Sequence, residues 1–208
     1  MTEVNPVVYV VDDDPSVLKS LERLLRSAEY SVRTFTSPIE FLDFQHLDAP
    51  SCLILDVKMP GLDGLELQDL LVKRKITFPI IFISGHGTVP MSVRAMKAGA
   101  VDFLQKPFMD GDLLDIVTCA IRADSKGRQK QRELGRLQLR IKALTPREDE
   151  VFRLVITGML NKQIAYVLGT SEKTIKVHRA RIMEKLGAES LADLVRLAEK
   201  LGIGSSAD

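Results

Sequence analysis

The 208-residue sequence predicts a doubly wound α/β domain with five parallel strands, joined to an all-α domain of four helices. Short apolar runs without a helical period, such as Val7–Val11 and Ile80–Ser84, mark strands buried on both faces. Segments at helical spacing separate them, so strand and helix alternate five times, as a parallel sheet with crossover helices requires. Beyond residue 143 the strand-like runs stop, and capped helical segments follow one another.

After the first strand, Asp14-Pro15 supplies an N-cap and a proline at the first helical position, and that helix runs to about Ala28. Val32–Phe35 is a weaker strand, and Ser37-Pro38 caps a second helix. Cys52–Leu55 is the third strand, and Leu65–Lys75 has helical spacing. Ile80–Ser84 precedes a helix over Val89–Ala98 that Gly99 closes. Phe103–Gln105 is the last strand, followed by a helix from about Asp112.

Residues 124–142 differ in texture. They are polar and basic and contain Gly127 and Gly135, yet Leu134, Leu137, Ile141 and Leu144 keep a helical step. They read as a linker helix between a domain at 1–123 and a domain at 143–208, packed on its own domain or zipped to a second copy. In the second domain Thr145-Pro146-Arg147-Glu148 is a capping box, and its helix ends at Gly158. Asn161 caps a short helix over Lys162–Leu168, and Gly169-Thr170-Ser171 makes a tight turn. Ser171 caps a helix through Leu186, and Ser190 with Asp193 opens the last one.

Bulk properties exclude some classes. No run approaches membrane-spanning length, and the N-terminus lacks the pattern of a secretory signal. Cys52 and Cys119 have no metal-type spacing and read as reduced core residues, which places the chain in the cytoplasm. The near-neutral total hides an asymmetry: residues 1–123 hold 12 Lys/Arg and 17 Asp/Glu, a balance of −5, whereas residues 124–208 hold 17 and 11, a balance of +6. An acidic half joined to a basic half suits a metal or small-ligand module attached to a polyanion-binding one.

The chemistry sits at strand ends. Asp12 and Asp13 end the first strand, Asp56 the third, Ser84 the fourth, and Lys106 follows the fifth. In a doubly wound sheet these ends face one crevice. Carboxylates gathered there repel unless a cation joins them. The set therefore suits a magnesium (or manganese) ion, with Asp13 and Asp56 as direct ligands, Asp12 acting through water and the Lys58 carbonyl completing the protein's share. Asp56, solitary at its strand end, is the nucleophile for a phosphoryl group, with Lys106 and Ser84 serving the phosphoryl oxygens. Taken singly, each residue has a plainer explanation: Asp14 is a helix cap, and Asp56 could open the turn at Pro60-Gly61.

The blocks Val11-Asp12-Asp13-Asp14, Asp56–Gly64, Ser84-Gly85-His86-Gly87 and Lys106-Pro107-Phe108 closely resemble response-regulator receiver domains, which are flavodoxin-like. The resemblance implies phosphorylation of Asp56 by a sensor histidine kinase, movement of Ser84 toward the phosphate with rotation of Phe103, and a cis bond before Pro107. It also implies a dimer face at Val93, Lys97, Asp102 and Phe103, used on phosphorylation. It assigns no general role to His86.

In the basic domain, a helix, a tight turn and a second helix suggest helix-turn-helix DNA binding. Ile175, Ile182 and Leu186 share one face of the second helix; Lys173, Lys176, Val177, Ala180 and Glu184 share the other. Five Lys/Arg against two Glu over 172–186 favour a polyanion. This part resembles the LuxR-type output domain, and the whole chain resembles transcription regulators of the FixJ/NarL type, StyR-like regulators of aromatic degradation among them. That likeness places Lys176 and Val177 against bases. Ala180, which cannot donate a hydrogen bond, would touch a thymine methyl. Ser171, Thr174, Arg179 and Arg181 are the phosphate contacts. Leu191, Leu194, Val195 and Ala198 resemble the output dimer helix. Promoter DNA, a sensor kinase, a second copy and RNA polymerase are the expected partners; a membrane is not.

Two other classes stand beside this one. A magnesium-dependent phosphatase would also use a strand-end aspartate, but such enzymes carry a second acid two residues on, where Lys58 stands here. A phosphorylation-dependent protein adaptor needs no DNA target, and the basic helix argues against it.

Overall fold

The structure, a computed structural model, describes residues 5–204; the outermost four residues of each expected domain end, 1–4 and 205–208, lie outside the described residues. The chain divides into two compact units, Met1–Arg128 and Gln129–Asp208.

The first unit is a five-stranded parallel sheet in the order β2-β1-β3-β4-β5. Its strands are β1 (Val7–Val11), β2 (Ser31–Phe35), β3 (Ser51–Asp56), β4 (Ile80–Ser84) and β5 (Asp102–Gln105). This is the doubly wound order whose ligand crevice lies where the chain reverses, between β1 and β3. Every residue of β1, β3 and β4 is buried, so continuous apolar runs rather than alternation encode them. The edge strand β2 alternates in part. The helices are α1 (Pro15–Ser27), α2 (Pro38–Asp43), α3 (Gly64–Lys73), α4 (Val89–Lys97) and α5 (Asp110–Lys142).

Two cores cover the sheet. One gathers Tyr9, Phe41, Leu53, Leu67, Phe82 and their neighbours; the other gathers Val8, Leu25, Ile54, Ile81, Leu113 and Val117. Tyr9 is fully buried, and its hydroxyl accepts from Leu47 N at 3.0 Å, which satisfies its polar tip. Cys52 is buried as expected, and burial pushes its thiol up, so it is no nucleophile. Cys119 is exposed, contrary to the expected core position. The buried stripe of α5 is Leu113, Val117, Ala120 and Ile121, and residue 119 faces away from it.

Helix α5 runs unbroken for 33 residues through Gly127 and Gly135. Its middle is held to the first unit. Asp124 Oδ2 accepts from Ser51 N at 2.9 Å and from Arg128 Nε at 2.6 Å, while Arg128 Nη1 reaches Asp48 at 3.0 Å. The polar texture from Asp124 thus marks a change of surroundings, not a helix end.

The second unit holds the last part of α5 with α6 (Pro146–Ile156), α7 (Asn161–Val167), α8 (Glu172–Leu186) and α9 (Leu191–Lys200). Its core joins Val151, Phe152, Ile164, Ile175, Ile182, Leu186 and Leu194, with Ile141 and Leu144 packed against it. The capping box of α6 is formed: Glu148 N donates to Thr145 Oγ1 and Thr145 N donates to Glu148 Oε2. Asn161 is not a cap. It opens α7 as its first residue, and its Oδ1 accepts from Arg179 Nη1 at 2.9 Å. The cap of α8 is Ser171, whose Oγ accepts from Thr174 N at 3.1 Å. Its C-terminal carbonyl at Leu186 accepts from Arg140 Nη1 at 3.0 Å.

Glu148 is 3% exposed and accepts from Lys185 Nζ at 2.6 Å. That ammonium and the Thr145 N–H lower its carboxyl to about 2. A depressed carboxylate stabilises the fold above its ordinary value, and that stability fades as pH falls toward the folded one. Glu148→Gln is therefore expected to cost about 2 kcal/mol at neutral pH and progressively less below pH 4.5, read by urea unfolding at a series of pH values.

Candidate functional site

The C-terminal ends of β1, β3 and β4 and the residue after β5 meet at one place. Asp12 is 1% exposed and Asp56 7% exposed, so two carboxylates lie beneath the surface of the crevice. Lys106 Nζ donates to Asp12 Oδ2 at 2.7 Å and to Asp56 Oδ1 at 2.8 Å. The other oxygens are also engaged: Asp12 Oδ1 accepts from Asp14 N at 2.9 Å, and Asp56 Oδ2 accepts from Lys58 N at 2.7 Å. Asp14 itself caps α1.

Burial pushes the Asp56 carboxyl above its ordinary value, with the Lys106 contact pulling the other way. Burial also works against the Lys106 ammonium, but its hydrogen bonds to Asp12 and Asp56 outweigh that and hold it above its ordinary value. A carboxylate made more basic by its surroundings is a stronger nucleophile, and the ammonium keeps a positive charge beside it.

Gly64 lets the site close. A side-chain carbon there would collide with the Asp56 carbonyl oxygen, and Gly64 N donates to Val57 O at 3.0 Å. The loop after β3 thereby returns against its own strand end. Ser84 is buried, and its Oγ accepts from His86 N at 3.2 Å. Phe103 is half-buried on β5, tilted over Phe82 at 6.1 Å between centroids. The Lys106–Pro107 bond is cis, as the resemblance implied.

The oxygens of Asp12 and Asp56 suit a hard cation that keeps several waters. Asp13 is exposed at the rim and is not gathered into that pair. Among the described residues no three His, Cys, Asp or Glu side chains are grouped to hold a metal. The donor set is thus a carboxylate pair in an aqueous crevice rather than a closed cage, which fits magnesium better than a transition metal. Of the expected dimer-face residues, Val93 (45% exposed) and Lys97 lie at the surface, while Asp102 and Phe103 are half-buried and Asp102 Oδ1 accepts from Phe103 N.

In the second unit, Ile175, Ile182 and Leu186 turn α8 inward. Lys173, Lys176, Val177, Ala180 and Arg181 are exposed on the helix, as are Ser171 and Thr174 at its start. Glu172 pairs loosely with Lys176 at 3.4 Å, an exposed contact that contributes little to stability. Arg179 is half-buried and tied to Asn161, so it is held in place rather than free to search.

Residues 8–118 match the family described as "Response regulator receiver domain", and residues 142–198 match "Bacterial regulatory proteins, luxR family". The chain belongs to the LuxR-type response regulators. Nodulation protein W of Bradyrhizobium diazoefficiens is 50% identical to this response regulator over 96% of this chain and 88% of its own length. The transcriptional regulatory protein FixJ of the same organism is 42% identical over 94% of this chain and 96% of its own. The solved structure of the response regulator StyR superposes with a TM-score of 0.88 at 47% identity, covering 95% of this chain and all of that one. The response regulator is a transcription regulator rather than an enzyme, a receiver domain joined to a LuxR-type DNA-binding domain. No described helix is long and apolar enough to cross a membrane.

Of the expected site residues, Asp12, Asp56 and Lys106 come together with Ser84 at the adjacent strand end, and the expected α8 residues share an exposed face. Gly64 as the residue that closes the site, the tether from Asn161 to Arg179, and the Asp124–Arg128 clasp were not legible in the sequence. The four-residue spacing of Asp124 and Arg128 was the one available signal for the last.

Proposed function

We propose that Asp56 accepts a phosphoryl group from a sensor histidine kinase, and that this raises the affinity of the output domain for promoter DNA. The observation that carries it is the shared contact of Lys106 Nζ with the Asp12 and Asp56 carboxylates at the sheet's ligand edge. An Asp56 carboxylate oxygen attacks the phosphorus, the bond from phosphorus to the donor breaks, and the donor leaves with the electron pair. Lys106 holds positive charge beside the incoming oxygens, and Ser84 Oγ turns its hydroxyl toward them. A magnesium or manganese ion, which Asp12, Asp56 and the Lys58 carbonyl would hold, with the exposed Asp13 turning in as a further ligand, would supply further positive charge there. The phosphoryl oxygens are satisfied in only one arrangement of the Ser84 and Lys106 loops, which biases a two-state element.

On this reading residues 1–123 are the receiver, 124–142 the linker and 143–208 the output segment, in a cytoplasmic protein. Phosphorylated copies pair through Val93, Lys97, Asp102 and Phe103. Lys176, Val177 and Ala180 read bases, while Ser171, Lys173, Thr174, Arg179 and Arg181 position the helix on phosphates, and RNA polymerase is the downstream partner. The test is to incubate the protein with acetyl phosphate and magnesium, reduce it with borohydride and sequence it by mass spectrometry. Homoserine at position 56 supports the assignment; homoserine elsewhere, or none, rejects it.

The DNA assignment separates by salt. Lys176→Ala is expected to cost about 1–3 kcal/mol at one base position of a selected site. Arg181→Ala should weaken all sequences alike and lower the slope of log affinity against log salt by about 1. Filter binding at several salt concentrations reads both, and equal loss on every sequence with Lys176→Ala removes its base-reading role.

A further inference from the structure

Gly87 sits in the loop after Ser84 and does not adopt the left-handed backbone that favours glycine. Its neighbour Gly85 could carry a side chain in open space, whereas a carbon on Gly87 could not. It would lie 2.7 Å from Cε1 and 3.0 Å from Cζ of Phe103, and 3.7 Å from Cβ of Ser84. The ring tip of Phe103 therefore fills the volume that any side chain at position 87 would need. Phe103 also pairs in register with Phe82, two residues before Ser84. Ser84, Gly87 and Phe103 meet at one point, and the Lys106 N to Ser84 O hydrogen bond at 2.8 Å pins the two strand ends together there.

We propose that Gly87 is a positioning residue of the switch: its missing side chain makes room for the Phe103 ring beneath the Ser84 loop, so that loop and ring can move only together. The consequence for signalling rests on Asp56 being the phosphoryl acceptor; the packing itself does not. Carbon atoms do not approach within 3.0 Å, so a methyl at 87 must displace the ring, the softer of the two partners, toward solvent.

The experiment is a double-mutant cycle on the full-length protein with Gly87→Ala and Phe103→Ala. With Phe103 present, Gly87→Ala is expected to lower Tm by about 4 °C. With Phe103→Ala, the clash is gone and Tm should stay level or rise, because alanine restricts the unfolded chain more than glycine. After treatment with acetyl phosphate and magnesium, Gly87→Ala should take up phosphoryl groups within about twofold of wild type yet lose about tenfold of the phosphorylation-dependent gain in DNA affinity. An equal drop in Tm in both backgrounds, or no drop in either, overturns the packing role. A full DNA response in phosphorylated Gly87→Ala overturns the coupling. If wild type takes up no phosphoryl group, the assignment of Asp56 fails and the coupling falls with it, while the thermal cycle, which needs no phosphoryl group, still reads the contact.

Discussion

Asp56→Asn is expected to take up no phosphoryl group from acetyl phosphate and to fold more stably than wild type. The two effects share a cause. The Asp56 carboxylate is desolvated beneath the crevice surface with Asp12 beside it, and burial raises its carboxyl above the ordinary 3.8. A raised acid costs folding free energy above its ordinary value, because the native state disfavours the charge that the unfolded chain carries freely. An amide keeps the shape and sheds the charge, so stability should rise at neutral pH. The difference should shrink as pH falls into the ordinary carboxylate range, where wild type protonates too. A thermal scan at two pH values together with a phosphoryl-uptake gel reads both effects. A less stable Asp56→Asn protein would mean that the Lys106 and Lys58 contacts outweigh desolvation.

Lys106→Met should act in the opposite direction on stability. It leaves Asp12 and Asp56 facing each other beneath the surface with their shared ammonium gone. Breaking a buried pair from one side costs about 3 kcal/mol. Part of that loss should return as pH is lowered, because a proton then replaces the ammonium between the acids. Phosphoryl uptake should fall by about a hundredfold, the scale for removing one preorganised positive donor. Urea unfolding across pH and the initial rate of uptake read the two effects. A variant as stable as wild type and unchanged in rate would assign Lys106 to the surface rather than the site.

The strands and the acidic site were legible because both rest on local signals. A strand buried on both faces must be apolar throughout, so β1, β3 and β4 stand out as runs, and an Asp directly after such a run has one place to be. The topology then carries Asp12, Asp56 and Lys106 to one edge although 94 residues separate the first from the last. What escaped depends on tertiary neighbours. Gly127 and Gly135, at about 1 kcal/mol each in a helix, set residues 124–142 apart as a separate linker helix in the sequence. Yet α5 continues through them, with the Arg128–Asp124 and Gln129–Glu133 contacts bracing it. Cys119 fitted an apolar helical pattern, but the four positions that face the core lie beside it. Asn161 has the chemistry of a cap, and only the arrival of Arg179 from α8 shows why its side chain points elsewhere. Gly87 and Phe103 are 16 residues apart in sequence, and no local pattern announces that one leaves space for the other.

The link between Asp56 and DNA is tested most directly by the affinity of the full-length protein for a duplex selected from a random pool, measured with and without acetyl phosphate and magnesium at one salt concentration. Wild type should bind about tenfold more tightly or better after treatment, and Asp56→Asn should not respond. Equal binding before and after treatment in wild type, or an equal response in Asp56→Asn, would contradict control of DNA binding through Asp56.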